Sequence, residues 1–214
     1  MPADHPSQTK PTLYYSRNSN PRIAVAVARY LQSPVEFVLA APRHPDHEAA
    51  FRSINPNGLV PVLADGPQTL WEADAIACHL SAKADSDFWR RGTEMADMVM
   101  WLSWSAYHLN PAAGTLYFEH IVRPTFSSEK CPPSVITEAL ADFRTHAAVL
   151  EQQLHNRIWL VGNTVSYADF RVATVLPFAD GAGLPLAEFP KIRRWHDQLM
   201  QITAWREPFA GLAL

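Results

Sequence analysis

A turn and a proline-led strand at residues 54–63, Ile-Asn-Pro-Asn-Gly-Leu-Val-Pro-Val-Leu, constrain the fold more than any other stretch. Proline has no N–H to give to a strand ladder, so Pro61 is expected at a strand's first position or its edge. An X-Pro bond at such a corner adopts the cis form at a cost of under about 1 kcal/mol. A cis Val60–Pro61 bond would turn the Val60 N–H and C=O outward, where they can pair with an extended peptide.

A helix start follows the next strand. The strand pattern resumes at Thr69-Leu70-Trp71, and Glu72 then opens a helix. The first N–H groups of a helix have no partner within it, and they attract anions. A strand edge that pairs with a peptide backbone, beside a helix start that binds a carboxylate, predicts a site for a small acidic peptide.

The order of elements predicts an α+β fold with two domains. Residues 11–84 alternate short apolar strands with helices and end in a hairpin and a helix, which indicates a thioredoxin-like βαβαββα domain. Pro21 is expected as the first residue of helix one. After the linker Asp85-Ser86-Asp87 strand signals stop, and residues 92–214 indicate an all-helical C-terminal domain in which Pro111 ends or kinks the first long helix.

Three motifs, in order along the chain, resemble the cytosolic glutathione transferase superfamily, with theta- and beta-like bacterial members as the nearest types. Residues 13–22 are similar to the family's first strand and the loop into its first helix. Residues 55–76 match Asn-Pro-x-Gly-x-Val-Pro-x-Leu followed by Leu-x-Glu-x-x-Ala-Ile, and residues 159–169 are similar to its buried helix-capping motif. The resemblance covers roughly residues 11–209. It implies glutathione as co-substrate and a homodimer.

Composition excludes several other classes of protein. With 48% hydrophobic and 18% charged residues, the 214-residue chain is ordinary for a globular protein with a sizeable core. The formal charge of −3 has no basic block, so we expect no nucleic-acid partner and no membrane partner, and no apolar run reaches the length of a membrane span. Cys78 and Cys131 make no disulfide framework, which favours the cytoplasm. His44, Asp46 and His47 have metal-like spacing, but no second cluster completes a site, so no metal is expected.

The resemblance implies that Ser19 stabilises the glutathione thiolate. In theta-like members a serine at this spacing, followed by x-Pro, donates its hydroxyl to the sulfur, and the adjacent helix N-terminus adds positive potential. Ser19 is equally suited to be a plain N-cap. Asn20 is the next candidate, because beta-like members carry a catalytic cysteine one place later. The family's other common choice is a tyrosine, for which Tyr14 and Tyr15 are candidates, although their place within the strand favours packing. This loop lacks cysteine, which disfavours glutaredoxin-type chemistry.

The resemblance also assigns residues to glutathione itself. Val60 and Pro61 present the peptide-binding backbone, Glu72 holds the γ-glutamyl group, and His47 reaches toward the glycine carboxylate. Ala73 stands where the family commonly has Ser or Thr, and Leu59 where Lys or Gln is frequent. A lost charge-assisted hydrogen bond at Ala73 would weaken binding by roughly 1.5–3 kcal/mol before water substitutes.

A hydrophobic second substrate is expected between the domains, where pockets usually form. The first long helix, which lines this site in the family, carries aromatic residues at three- or four-residue spacing, and Tyr15 in the first strand is a further candidate. The helix residues are Trp101, Trp104, Tyr107 and His108. An aromatic stripe of this kind is equally typical of a helix core.

Taken with these residues, the resemblance implies a cytoplasmic glutathione transferase that adds glutathione to, or substitutes it on, a hydrophobic electrophile, a detoxification chemistry. A glutathione-dependent disulfide reductase or peroxidase is the enzymatic alternative. The other alternative is a non-catalytic protein that keeps the fold for ligand or protein binding. Ala73 and Leu59 favour it slightly, because both depart from the family's glutathione-binding pattern.

Overall fold

A computed structural model of the chain describes residues 10–213. These residues form two compact units. The first contains the described residues up to Ser86 together with those from Glu207 onward, and the second is Asp87–Arg206. The predicted second domain, 92–214, therefore differs from the second unit at its C-terminal end, since the residues after Arg206 pack with the first unit.

The first unit has the βαβαββα order that the sequence predicted. Its elements are β1 Thr12–Tyr15, α1 Ser19–Tyr30, β2 Glu36–Leu39, α2 Pro45–Ile54, β3 Val62–Asp65, β4 Gln68–Trp71 and α3 Ala73–Lys83. The sheet order is β2-β1-β3-β4, with β1 parallel to β2 and antiparallel to β3, and with β3 antiparallel to β4. The thioredoxin-like prediction is confirmed.

An apolar row crosses the sheet and fixes its register. Leu13 pairs with Phe37 on one side and with Leu63 on the other, and Leu63 in turn pairs with Leu70. Leu13 and Leu63 are fully buried. A one-residue slip would move these side chains to the opposite face of the sheet, so the buried row strongly specifies the pairing.

Helix α1 packs against α3 and β1, and its middle, residues 23–28, is buried all round. The helix starts at Ser19, so the prediction that Pro21 is its first residue is wrong by two positions. Proline is tolerated throughout the first turn, because the N–H groups there have no intrahelical acceptor. Pro21 therefore marked the region of the helix start but not its first residue.

The second unit is helical. Its α-helices are α4 Glu94–Trp104, α5 Asn110–Tyr117, α6 Pro133–Gln153, α7 Tyr167–Val172, α8 Ala179–Ala182, α9 Pro190–Leu199 and α10 Thr203–Arg206. A π-helical turn, Ser105–Leu109, joins α4 to α5, and a second, Phe118–Val122, follows α5. The helical path thus continues through Pro111 and does not end there, because the wider turn just before the proline changes the hydrogen-bond register.

Among the described residues, no helix combines the length and the apolar character needed to cross a membrane.

A buried carboxylate organises the core of the second unit. Asp169 accepts hydrogen bonds from the Leu160 N–H (2.9 Å), the Ser166 N–H (2.8 Å), the Ser166 hydroxyl (3.1 Å) and the Trp195 indole N–H (2.9 Å). Ser166 and Asp169 form the capping box of α7 that the sequence predicted. Burial raises the pKa of Asp169, and the four donors oppose that rise. One side chain thus ties together three separate segments.

Replacing this carboxylate should lower the stability of the second unit. In Asp169→Ala three buried N–H donors lose their acceptor at about 1–3 kcal/mol each, so the free energy of unfolding should fall by about 3 kcal/mol or more. Asp169→Asn keeps one acceptor oxygen and should lose less. Urea titration followed by tryptophan fluorescence measures both, and equal losses in the two variants would contradict this account.

A second carboxylate joins the sheet to α3 in the first unit. Asp65, at the end of β3, accepts from Lys83 at 2.6 Å and contacts the His79 ring nitrogen at 2.8 Å. These hydrogen bonds, that of Lys83 above all, lower the pKa of Asp65 below its ordinary value. The ionised carboxylate therefore stabilises the folded state.

The contribution of Asp65 should depend on pH in one direction. A carboxyl whose pKa is lowered by folding stabilises at pH values above its unfolded pKa, about 3.9, and the stabilisation is lost as the pH falls toward the folded pKa. We expect Asp65→Asn to lower the free energy of unfolding by about 1 kcal/mol at pH 7 and by much less at pH 3. Glu138→Gln, an exposed change on α6, should show no such dependence; a loss that grows on acidification would refute the assignment.

Candidate functional site

The sheet register brings the predicted site segments to one edge. Tyr14 pairs with Val62 and Val62 with Trp71, so the end of β1, the start of β3 and the end of β4 lie side by side. The end of β2 joins them, because the Ala40 N–H donates to the Tyr15 carbonyl at 2.8 Å. The loop before Ser19, the Val60–Pro61 bond and Glu72 therefore meet at the same end of the sheet.

Val60 presents an unused backbone at this edge. The Val60–Pro61 bond is cis, as the sequence predicted. Within residues 10–213 neither the N–H nor the C=O of Val60 has a hydrogen-bond partner, and the residue is only half-buried. Both groups are therefore available to a bound peptide backbone.

Two residues that the sequence reasoning did not single out hold the loop before Val60. The buried Asn55 donates to the Leu59 carbonyl (2.7 Å) and accepts from the Asn57 N–H (3.0 Å). Arg52 of α2 donates to the Pro56 carbonyl at 2.9 Å. The role of Asn55 could have been predicted from the turn sequence, since an Asn side chain in a turn commonly forms a hydrogen bond with the backbone two residues further on. Leu59 itself is 43% exposed, at the rim of the edge.

Glu72 lies directly before α3 in a left-handed backbone conformation, with φ of 71° and ψ of 129°. Non-glycine residues in such regions cost about 1–3 kcal/mol and cluster at ligand-binding positions. Its exposed carboxylate makes no hydrogen bond or ion pair with the described residues and does not cap the helix. The Ala73 side chain behind it is buried, so Ala73 can offer a ligand only its N–H.

Ser19 is the first residue of α1, and the N-cap position belongs to Asn18. The plain N-cap interpretation of Ser19 is therefore wrong. Asn18 makes no side-chain cap, and the Ser19 hydroxyl bonds to no group in the described part of the chain. A half-buried hydroxyl and uncapped helix N–H groups thus lie together at the sheet edge; Asn20, beside Ser19, is exposed and has an internal partner.

His47 lines an apolar cavity of about 730 Å³ between α2 and the end of β2. Its ring lies 5.4 Å from that of His44, whose Nδ1 accepts from the Asp46 N–H. The other walls of the cavity are Tyr14, Val38, Leu39, Ala40, Ala41, Ala50, Phe51 and Ile54. His47 is exposed and belongs to the same end of the sheet as Val60, so its assignment to a ligand carboxylate stays a prediction.

Tyr15 does not fit the role of a substrate wall, and that prediction is wrong. Its side chain is 1% exposed, its ring stacks on Phe209 with 5.6 Å between centroids, and its hydroxyl donates to the Ala213 carbonyl at 3.3 Å. Strand alternation explains this outcome, because Tyr15 follows Leu13 on the face of β1 that is buried. No surface of Tyr15 remains for a second substrate.

The aromatic stripe of the first long helix is only partly assembled as predicted. Trp101, Trp104 and His108 form successive ring contacts of 5.0 and 6.3 Å, and His108 reaches His146 of α6 at 5.1 Å. Trp101 is only 7% exposed, yet both it and the half-buried Trp104 border a surface groove of about 490 Å³ with Met100 and Val149. The pKa of His146 is lowered, mainly by burial and also by His108.

Tyr107 departs from the stripe and is 81% exposed. The π-helical turn Ser105–Leu109 contains it, and such a turn rotates side chains away from the positions that a 3.6-residue period predicts. Tyr107 is therefore free to contact a ligand but does not share the face of Trp101. Its role, like those of Trp104 and His108, stays a prediction.

The edge as a whole is suited to a small peptide with several negative charges. Two uncapped helix starts, at Ser19 and Ala73, supply N–H groups that favour anions. Val60 supplies one backbone donor and one acceptor, and Glu72 supplies a carboxylate for an ammonium group. Donors for anions, a backbone strip and a single acid are the complement of an extended, zwitterionic peptide.

The strain at Glu72 can be measured. Glycine adopts a positive φ without steric cost, so Glu72→Gly should be more stable than Glu72→Ala by about 1 kcal/mol, the reverse of the order expected in ordinary helix or strand. Comparing the unfolding free energies of the two variants isolates the backbone effect, since both lack the carboxylate. A Glu72→Ala variant at least as stable as Glu72→Gly would show that no strain is stored there.

The chain is similar in sequence to known proteins over most of its length. The sequence models of the glutathione S-transferase N-terminal and C-terminal domains match residues 10–82 and 133–198. Glutathione S-transferase GstB of Escherichia coli strain K12 is 27% identical over 202 residues, which span 92% of this chain and 96% of that protein. Glutathione S-transferase 3 of Zea mays is 28% identical over 193 residues, 85% of this chain and 82% of that protein.

Solved structures agree with the sequence comparison. The apo form of human glutathione S-transferase T1-1 superposes with a TM-score of 0.84 at 25% identity, covering 94% of this chain and 88% of that one. Both domain models match in the expected order, and the relatives align over most of their own length. On this evidence, the chain belongs to the glutathione S-transferase superfamily.

Proposed function

We propose that this protein is a glutathione transferase, which ionises the thiol of bound glutathione and transfers the sulfur to a hydrophobic electrophile. The observation that carries the proposal is the meeting of Ser19, Val60 and Glu72 at one end of the sheet, each with polar groups that have no partner in the described residues. The relatives named glutathione S-transferase support the same conclusion.

Glutathione would bind in an extended form along the edge of β3. Its cysteinyl backbone pairs with the N–H and C=O of Val60, as an added strand does. Its γ-glutamyl ammonium faces Glu72, and the α-carboxylate beside it faces the N–H groups at Ala73, where α3 begins. The glycine carboxylate extends toward His47. Pro61 and Leu59 shape the strip without donating to the peptide.

The Ser19 hydroxyl donates to the sulfur in this arrangement. A free thiol has a pKa of about 8.5, and a helix N-terminus or a nearby donor lowers it so that the thiolate forms near neutral pH. Ser19 offers both, because its hydroxyl lacks an internal partner and it is the first residue of α1. Asn20 is the second candidate for the donor.

The electrophile site and the assembly state are further parts of the proposal. Trp104, Tyr107 and His108 are the residues that we assign to a hydrophobic substrate, since they retain exposed surface. Met100 and Val149 are exposed apolar residues at the groove beside Trp104. A second copy of the chain could cover this apolar face, which suits the homodimer that the family resemblance implies. We place the protein in the cytoplasm, in a detoxification role; sedimentation velocity tests the dimer.

Calorimetric titration with glutathione, in two buffers of different ionisation enthalpy, tests the proposal. We expect binding with release of a proton, because the bound thiol ionises. Absence of binding at millimolar glutathione would leave a non-catalytic protein that reuses the fold. Proton release together with turnover of disulfides or peroxides, but not of electrophiles, would favour the reductase alternative.

Ser19→Ala separates binding from thiol activation. Removing one donor from a developing or stabilised anion typically costs roughly 10²–10³ in rate, so kcat/KM should fall by that order while the Kd for glutathione stays within about threefold. Ser134→Ala, an exposed serine in the first turn of α6, is the matched control. An unchanged rate would remove Ser19 from the mechanism, and a loss in Asn20→Ala would transfer the role to Asn20.

A further inference from the structure

The segment Glu207–Ala213, here called the C-terminal strap, packs on the first unit although it follows the helices of the second in sequence. It contains two successive turns, in which the Ala210 N–H donates to the Glu207 carbonyl (3.1 Å) and the Leu212 N–H to the Phe209 carbonyl (3.0 Å). Gly211 has a φ of 70° and permits the second turn.

The strap is attached next to the loop that carries Ser19. The Phe209 ring stacks on Tyr15, the last residue of β1, with 5.6 Å between centroids, and the Arg17 guanidinium lies over the Phe209 ring at 5.2 Å from its centroid. Arg17 also donates to the Ala213 carbonyl at 3.0 Å, which the Tyr15 hydroxyl reaches at 3.3 Å. The strap thus holds both the last residue of β1 and Arg17 of the loop that follows.

A third attachment holds the far end of α1. Arg29 donates to the Ala210 carbonyl at 2.6 Å, and its guanidinium lies over the Phe37 ring at 5.5 Å. Residues 15, 17 and 29 therefore bracket Ser19 on both sides in sequence, and all three contact the same seven-residue strap. The contacts combine aromatic stacking, cation–π attraction and hydrogen bonds from charged donors.

We propose that Arg17 and Phe209 are positioning residues, which hold the β1–α1 loop so that the Ser19 hydroxyl and the first N–H groups of α1 point at the sulfur of bound glutathione. The inference rests on the proposed function of the same site. It adds that thiol ionisation at this site also requires the C-terminal strap, which contributes none of the residues assigned to glutathione.

The location of Arg17 favours this role over general stabilisation. Arg17 is exposed and lies two residues before Ser19, in a loop whose helix lacks a side-chain cap. No side-chain cap fixes the loop, and within the described residues the hydrogen bond and ring contact of the Arg17 side chain both run to the strap. An error of about 1 Å in the placement of a catalytic group costs up to roughly a hundredfold in rate, so a modest loosening of this loop has a large effect on chemistry and a small one on stability.

The test is a pH titration of the thiol of bound glutathione, followed by thiolate absorbance, which needs no electrophile. We expect Arg17→Ala and Phe209→Ala each to move the midpoint about one pH unit higher, a tenfold loss of thiolate at a pH below the midpoint. Arg144→Ala, which removes an exposed arginine paired with Glu188 in the second unit, is the matched control and should leave the midpoint unchanged.

Two conservative variants separate positioning from charge. Arg17→Lys keeps the positive charge but loses the planar group that both stacks on Phe209 and donates to Ala213, so it should shift the midpoint nearly as far as Arg17→Ala. Phe209→Tyr keeps the ring and should restore the wild-type midpoint. If Arg17→Lys behaves as wild type, charge alone acts and the positioning role is overturned.

Hydrogen exchange supplies a readout that does not depend on glutathione. Amides of residues 16–20 should exchange faster in Arg17→Ala and Phe209→Ala than in wild type or Arg144→Ala. Suppose that the wild-type protein ionises glutathione and that the variants have the same midpoint and the same exchange rates. This result would overturn the positioning role of the strap and leave the proposed function standing. Wild-type protein that does not ionise glutathione would overturn the proposed function and, with it, the positioning role, even where exchange in the loop responds to the strap.

Discussion

The antiparallel pairing of β1 with β3 is the constraint on which the rest of the first unit depends. Burial of Leu13 opposite Leu63 sets this register, and the register brings the end of β1 beside the start of β3. The hairpin from β3 to β4 then returns Glu72 to the same edge. Every residue proposed to touch glutathione in this unit is therefore placed by one row of apolar side chains, which itself touches no ligand.

Local sequence signals predicted the elements of this fold well, because the determinants were local. The Val-Pro corner, the hairpin before the third helix and the Ser166–Asp169 capping box each depend on residues close together in the chain. The start of α1 was missed by two positions, since proline is tolerated throughout the first turn. Tyr107 was misplaced because a π-helical turn breaks the 3.6-residue period on which the prediction relied.

Contacts between residues distant in sequence could not be predicted from local sequence patterns. Tyr15 was considered as a substrate wall because an aromatic residue in a site-proximal strand suits that role. Its partners, Phe209 and the Ala213 carbonyl, lie almost the whole chain away, and no periodicity within β1 indicates them. These contacts of Tyr15 also attach the strap to the first unit. The sequence analysis placed the strap in the helical domain, because strand signals stop after the linker.

The buried carboxylate of Asp169 and the polar groups at the sheet edge differ in how many hydrogen-bond partners they have, and the difference bears on function. At Asp169 the buried carboxylate accepts from four donors, so its replacement is expected to lower stability. At the sheet edge Val60, Glu72 and Ser19 keep polar groups with no partner in residues 10–213, and Glu72 adds a strained backbone. Proteins depart from local consistency mainly at functional sites. An edge that leaves a backbone N–H and C=O, a carboxylate and a hydroxyl unused is therefore best explained by a ligand that completes those bonds.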